Sequence, residues 1–117
     1  MSIEIDHKRV LEALLRTVHH IADKDYQKKI WIRGEGPEVA DFDETYCMFC
    51  DLGDPVLENY SSYGVTEKQY QVLSKFRDEF KIFSDDNDLP QLFIDTPEWT
   101  RITLMAKEVL DAFNYKK

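Results

Sequence analysis

The chain has 117 residues, 43% of them hydrophobic, and its 23 acids outnumber its 15 Lys and Arg residues to give a formal net charge of −8. That size is typical of one domain, residues 1–117, which can bury its own core without a cofactor or a disulfide. No apolar run approaches the ~18 residues of a membrane span, and the N-terminus lacks the layout of a signal peptide, so we predict a cytoplasmic protein.

The first predicted element is a helix of about five turns that starts near Asp6. Its apolar stripe, with spacings of three and four, consists of Val10, Leu14, Val18 and Ile21. After a break at residues 23–25, the pattern predicts a second short helix through residue 32, with a strand at 30–33 as the alternative. Residues 34–37, Gly-Glu-Gly-Pro, then end either element.

A third helix is predicted from residue 42, with Asp41 as its N-cap and Glu44 at the position that completes a capping box. Its helical face is Tyr46, Phe49, Cys50 and Leu52, although a strand at 45–50 is the alternative because this segment is also good strand material. The sequence Gly-Asp-Pro at 53–55 predicts that this helix stops and that a short new helix begins there.

The clearest signals come from the two predicted helices in the C-terminal half. Thr66 and Gln69 form a capping box before an aromatic stripe over residues 70–83, so we expect this helix to lie at the centre of the core. Thr96 caps the last helix, whose apolar stripe over residues 99–113 has a similar length, and we therefore expect the two to pack antiparallel. The predicted fold is an all-α single-domain bundle of about five helices.

Cys47 and Cys50 form the one motif typical of metal or redox chemistry, a C-x-x-C. The chain has no second C-x-x-C, no H-x-x-x-H and no βαβ pattern around this one, so we predict two thiols on a helix face and no metal. Because a nucleophile elbow and a nucleotide loop are also absent, the sequence favours a protein that is not an enzyme and needs no cofactor. A small thiol- or metal-dependent enzyme using both cysteines is the alternative.

Charge is distributed very unevenly along the chain. Residues 34–67 contain nine acids and residues 84–100 contain five more, and neither stretch has a Lys or Arg. Such a surface repels nucleic acid and anionic membranes and speeds encounter with a basic protein, and tyrosines among the acids are typical of interfaces. The alternative is a solvated surface that only confers solubility. The predicted partner-binding residues are Glu35, Glu38, Asp41, Asp43, Glu44, Tyr46, Asp51, Asp54, Glu58, Tyr60 and Tyr63.

The segments 30–39, IWIRGEGPEV, and 94–99, IDTPEW, together with the acidic character of the chain, carry a family resemblance. The chain resembles the small immunity proteins that bacteria make against nuclease toxins of contact-dependent inhibition and polymorphic toxin systems. The resemblance implies that the chain binds and neutralises a basic toxin domain without catalysis. A structural or regulatory interaction module, a monomer or weak homodimer, is the other non-enzymatic hypothesis.

Overall fold

Six α-helical segments and two short turns of other helix types make up the part of the chain that the computed structural model describes, residues 7–33, 42–87 and 89–115. The α-helices are α1 (His7–Ala22), α2 (Lys24–Tyr26), α3 (Phe42–Glu58), α4 (Glu67–Asp86), α5 (Pro90–Phe93) and α6 (Pro97–Ala112), joined by a π-helix (Gln27–Ile32) and a 3₁₀ turn (Tyr60–Tyr63). None of these residues forms a strand. The all-α prediction is confirmed, and the strand alternatives at 30–33 and 45–50 are wrong.

The four long helices pack in a ring around one core. In this ring α1 contacts α6 and α3, and α4 contacts the same two helices from the other side. The antiparallel packing expected for α4 and α6 is present, because Gln69 at the start of α4 donates to the Ala112 carbonyl 3.0 Å away, near the end of α6. At the other end, Arg101 of α6 pairs with Glu79 of α4 at 3.6 Å.

Trp99 of α6 lies at the centre of the aromatic core and is completely buried. Rings from four other parts of the chain surround it, with ring centroids between 4.8 and 6.2 Å away. Aromatic pairs at such separations add to the stability that the burial of their area provides. The neighbouring rings are Trp31, Phe42, Phe80, Phe83 and Phe93.

The predicted second helix is present but changes type at Gln27, where α2 continues as the π-helix. Gln27 is fully buried, and its side chain makes three hydrogen bonds. Its amide donates to the carbonyls of His20 (3.0 Å) and Ile21 (2.7 Å), and its carbonyl accepts from Trp99 Nε1 at 2.8 Å. This glutamine therefore joins the end of α1, the π-helix and α6.

The predicted break at residues 53–55 is wrong, because α3 runs without interruption through Pro55. Proline removes one hydrogen bond from a helix and disturbs the preceding turn. Here, however, Gly53 lies against Leu14 of α1, and Val56, which follows the proline, is completely buried. The burial of these residues holds the helix together where local propensity opposes it.

The predicted helix starts in the C-terminal half are correct. The Thr66 hydroxyl accepts from the Gln69 amide at 3.2 Å, and the Gln69 side chain accepts from the Thr66 amide at 2.9 Å. Thr96 accepts from the Trp99 amide at 3.3 Å at the start of α6. The two other predicted caps, Asp6 and Asp41, lie outside the described residues.

Candidate functional site

The acids of α3 share one side of the helix, and that side faces away from the core. Positions 43, 47, 51, 54 and 58 are spaced by three and four residues, so they lie above one another along an α-helix. The opposite side of α3 is buried. Four of these positions are acids and position 47 is a cysteine, while Glu44 is exposed next to Asp43. We call Asp43, Glu44, Asp51, Asp54 and Glu58 the acidic face of α3.

Exposure differs among the predicted partner-binding acids. Four of the five in the acidic face of α3 are exposed, and the fifth, Asp54, is half-buried. The three remaining predicted acids, Glu35, Glu38 and Asp41, lie outside the described residues. The structure therefore brings together the five acids that α3 contributes.

Asp54 is half-buried because α4 supplies a cation beside it. Arg77 Nη2 lies 3.0 Å from Asp54 Oδ1, and Arg77 Nη1 lies 3.5 Å from Asp78. The pair borders a cleft of about 300 Å³ between α3 and α4, which Glu58 and Tyr70 also line. Arg77 offsets the charge of Asp54, so the negative potential of the acidic face of α3 comes mainly from its other members.

The predicted tyrosines do not lie among these acids. Tyr46 lies on the side of α3 that faces α4, with its ring 5.4 Å from that of Phe80. Tyr60 stacks on Tyr70 of α4 at 4.5 Å, and both are half-buried. The two rings belong to the 3₁₀ turn after α3 and to α4, and they stand next to the end of the acidic face of α3.

Tyr63, the last predicted tyrosine, lies at the N-terminal end of α1. Its ring makes an edge contact with His7, with the centroids 4.5 Å apart. Tyr63 is half-buried and His7 is exposed. The contact attaches the turn after α3 to the first helix.

The pKa of Tyr46 is raised from 10.0 to about 12, first by burial and then by its neighbours Cys50 and Asp85. Desolvation is likewise the main reason that the pKa of Cys50 is raised, and the negative charge of Asp54 adds to it. A hydrogen bond with Tyr46 and the nearby Arg77 act in the opposite direction on Cys50. Both groups therefore keep their protons at neutral pH.

The two cysteines lie in different surroundings. Cys47 is exposed in the row of acids, and Cys50 is half-buried beside Tyr46. Because the thiolate is the nucleophile and the metal ligand, the raised pKa of Cys50 lowers the reactivity of this thiol at neutral pH. Across residues 7–33, 42–87 and 89–115, the structure brings no three His, Cys, Asp or Glu side chains together as a metal site.

Two features of the site could not be predicted from the sequence, the Asp54–Arg77 ion pair and the alignment of the acids along α3. Arg77 is 23 positions from its partner Asp54, and no local pattern indicates that pair. The alignment of Asp43 and Asp51 with Glu58 follows from helical spacing, but only if α3 is continuous, and the predicted break at 53–55 divided it. A prediction of one continuous helix through residue 55 would have placed these three acids on one side.

Comparison with protein-family models, with curated proteins and with solved structures gives no significant match. In the described part of the chain, the helices are too short or too polar to cross a membrane.

Proposed function

We propose that this chain is a non-catalytic binding protein whose acidic face of α3 docks a basic protein in the cytoplasm. In the form that the resemblance to immunity proteins suggests, the partner is a nuclease-type toxin domain. Binding covers the Lys and Arg residues that the nuclease needs for the phosphates of its substrate. Neutralisation then requires no chemistry from this chain.

The observation that carries the proposal is the alignment of exposed acids along α3. Asp51 and Glu58 lie on the same side of the helix, away from the core, and no Lys or Arg occurs in α3. A surface of one charge sign increases the rate of encounter with a partner of opposite sign and favours that partner over others.

The positions of these acids along α3 also argue for a role beyond stability. Asp43 and Glu44 lie in the first turn, where the helix dipole favours negative charge. Glu58 is the last residue of α3, where the same dipole makes an acid unfavourable. Asp51 is in the middle of the helix and gains nothing from either end. A binding function explains why acids occupy these two positions.

Charge reversal at Asp51 and Glu58 tests the proposal. The double variant Asp51→Lys/Glu58→Lys changes two exposed side chains and leaves the Asp54–Arg77 pair in place. The wild-type chain is first used to capture partners from a lysate of its own source at low salt, and the captured proteins are identified. We expect to capture a basic nuclease that high salt releases. The wild-type chain should inhibit its cleavage of nucleic acid. The affinity of this nuclease for the double variant should be lower by about 100-fold or more.

The matched control is Glu108→Lys/Asp111→Lys, which makes the same change in net charge at two exposed acids near the end of α6. We expect this control to bind and inhibit as the wild type does. If both double variants lose binding and inhibition to the same extent, then only the total charge matters, and α3 is rejected as the docking face. Inhibition that survives the α3 reversal rejects it as well.

A further inference from the structure

A second concave surface lies between the end of α4 and the beginning of α6, and no residue of α3 lines it. It is a groove of about 270 Å³ lined by residues of these two helices and by Asn87. Phe83 and Ile102 form its floor, since Ile102 is almost fully buried and Phe83 is half-buried. We call this surface the α4–α6 groove.

The wall of the α4–α6 groove is an exposed apolar side chain. Ile82 is 62% exposed, although it lies beside the half-buried Phe83. A single exposed isoleucine is ordinary on a protein surface, but this one continues the apolar floor of the groove outward. The burial of its side chain by a partner is therefore favourable.

The rim of the α4–α6 groove is acidic. Glu79, Asp86 and Glu98 line it, and Arg101 is the one cation among the side chains that the structure places there. Arg101 already pairs with Glu79 at 3.6 Å, so Asp86 and Glu98 give the rim its net negative charge. An apolar floor inside an acidic rim suits a ligand that has an apolar centre and basic flanks.

Asp86 is also badly placed for the stability of its own helix. It is the last residue of α4, and no basic residue occupies the last turn. Carboxylates at a helix C-terminus interact unfavourably with the partial negative charge of the terminal carbonyls. The Asn87 amide satisfies one of those carbonyls, that of Phe83, at 3.0 Å, yet it adds no positive charge. A cation from outside the chain relieves this repulsion.

We propose that the α4–α6 groove docks a short basic segment of a partner protein, in which one aliphatic side chain is flanked by Lys or Arg. The aliphatic side chain lies on Phe83 and Ile102 against Ile82, and its basic neighbours pair with Asp86 and Glu98. The volume supports a side chain as the occupant, because small-molecule pockets are usually about 300–1,000 Å³ and more enclosed.

This inference does not depend on the function proposed for α3. The two surfaces are on different helices, and the α4–α6 groove adds an apolar contact that the acidic face of α3 lacks. The test below uses a small peptide in place of a toxin, so failure of either proposal leaves the other standing.

The probe is the blocked tripeptide acetyl-Arg-Leu-Arg-amide, added to the isotopically labelled chain while backbone amide shifts are followed by NMR. We expect saturable shifts at the ends of α4 and α6, around Ile82, Asp86 and Glu98. Acetyl-Arg-Gly-Arg-amide, which keeps both charges, should bind about tenfold more weakly because it buries no leucine. Equal binding of the two peptides, or shifts centred on α3, would overturn the proposal.

Two pairs of variants define the contacts. Ile82→Ser should abolish the preference for the leucine peptide, whereas Leu104→Ser, at an apolar residue of α6 with similar exposure (52%), should preserve it. Asp86→Asn should weaken the binding of both peptides, whereas Glu108→Gln, at an exposed acid of α6 outside the groove, should leave their binding unchanged.

Sedimentation velocity without peptide tests whether a second copy of the chain occupies the groove instead. Self-association that Ile82→Ser abolishes would assign the groove to a second copy of the chain and reject a basic segment.

Discussion

At the scale of single residues, the side chain that connects most of the structure is a polar one. Gln27 is completely buried, and both ends of its amide have partners, so its burial leaves no hydrogen-bonding group unsatisfied. A buried polar group that has all its partners fixes the geometry around it, whereas removal of its side chain leaves those partners without hydrogen bonds in a low-dielectric core. Its contact with Trp99 joins residues 72 positions apart.

Replacement of Gln27 by Met is expected to lower the free energy of unfolding by about 2–3 kcal/mol, because Trp99 Nε1 loses its buried acceptor. Chemical denaturation of the variant and the wild type measures the difference. The matched control is Gln71→Met, the same change at an exposed position of α4, which we expect to alter stability by less than about 0.5 kcal/mol. Equal effects at both positions would show that the hydrogen bonds of Gln27 contribute nothing.

The raised pKa of Tyr46 predicts that the stability of the fold depends on pH at the alkaline end of the range. Its pKa is raised from 10.0 to about 12 by burial first and then by Cys50 and Asp85. The unfolded chain therefore loses this proton at lower pH than the folded chain, and stability that is present below pH 10.0 is lost as the pH rises towards 12. Unfolding measured across this window should show a steeper loss for the wild type than for Tyr46→Phe. Parallel curves for the two proteins would contradict the assignment.

At the scale of elements, the long helices fall into two groups. Helices α1, α4 and α6 were predictable because their apolar stripes and, for α4 and α6, the capping threonines Thr66 and Thr96 are local in sequence. The continuity of α3 and the π-helix at Gln27 were not predictable. Both depend on contacts with distant residues, Leu14 for Gly53 and Trp99 for Gln27, and tertiary packing overrides local propensity at such places.

The candidate site divides in the same way. That α3 carries acids could be predicted from the sequence, but their common side could not be predicted once the helix was expected to stop at 53–55. The cation beside Asp54 comes from α4, so only the packing of α3 on α4 reveals it. The α4–α6 groove likewise arises from the contact of two helices and has no local sequence pattern.

The environment of Gly53 makes α3 open to stabilisation. A Cβ at this position would lie 3.6 Å from Leu14 and 3.8 Å from Phe49, which are ordinary van der Waals distances. Because glycine in a helix interior is unfavourable relative to alanine, Gly53→Ala should raise the free energy of unfolding by about 0.5–1 kcal/mol. Denaturant unfolding measures the gain. The larger Gly53→Val adds bulk that these neighbours cannot accommodate and should destabilise the protein.

At the scale of the whole molecule, the net charge of −8 opposes the compact state through self-repulsion. We therefore expect thermal stability to rise between about 10 mM and about 1 M NaCl, as the Debye length falls from about 30 Å to about 3 Å. The variant Asp51→Lys/Glu58→Lys carries a smaller net charge, so its melting temperature should rise less over the same range. A stability that falls with salt would mean that ion pairs outweigh repulsion.

The central position of Trp99 has a consequence for biosynthesis. The ribosome makes the π-helix, α3, α4 and α5 before α6, and the rings that surround Trp99 all belong to those earlier segments. Until α6 emerges, their apolar stripes have no common partner, and exposed apolar surface of this kind promotes aggregation. The nascent chain can therefore complete its core only after Trp99 has left the exit tunnel, and the apolar side chains made earlier remain exposed until then.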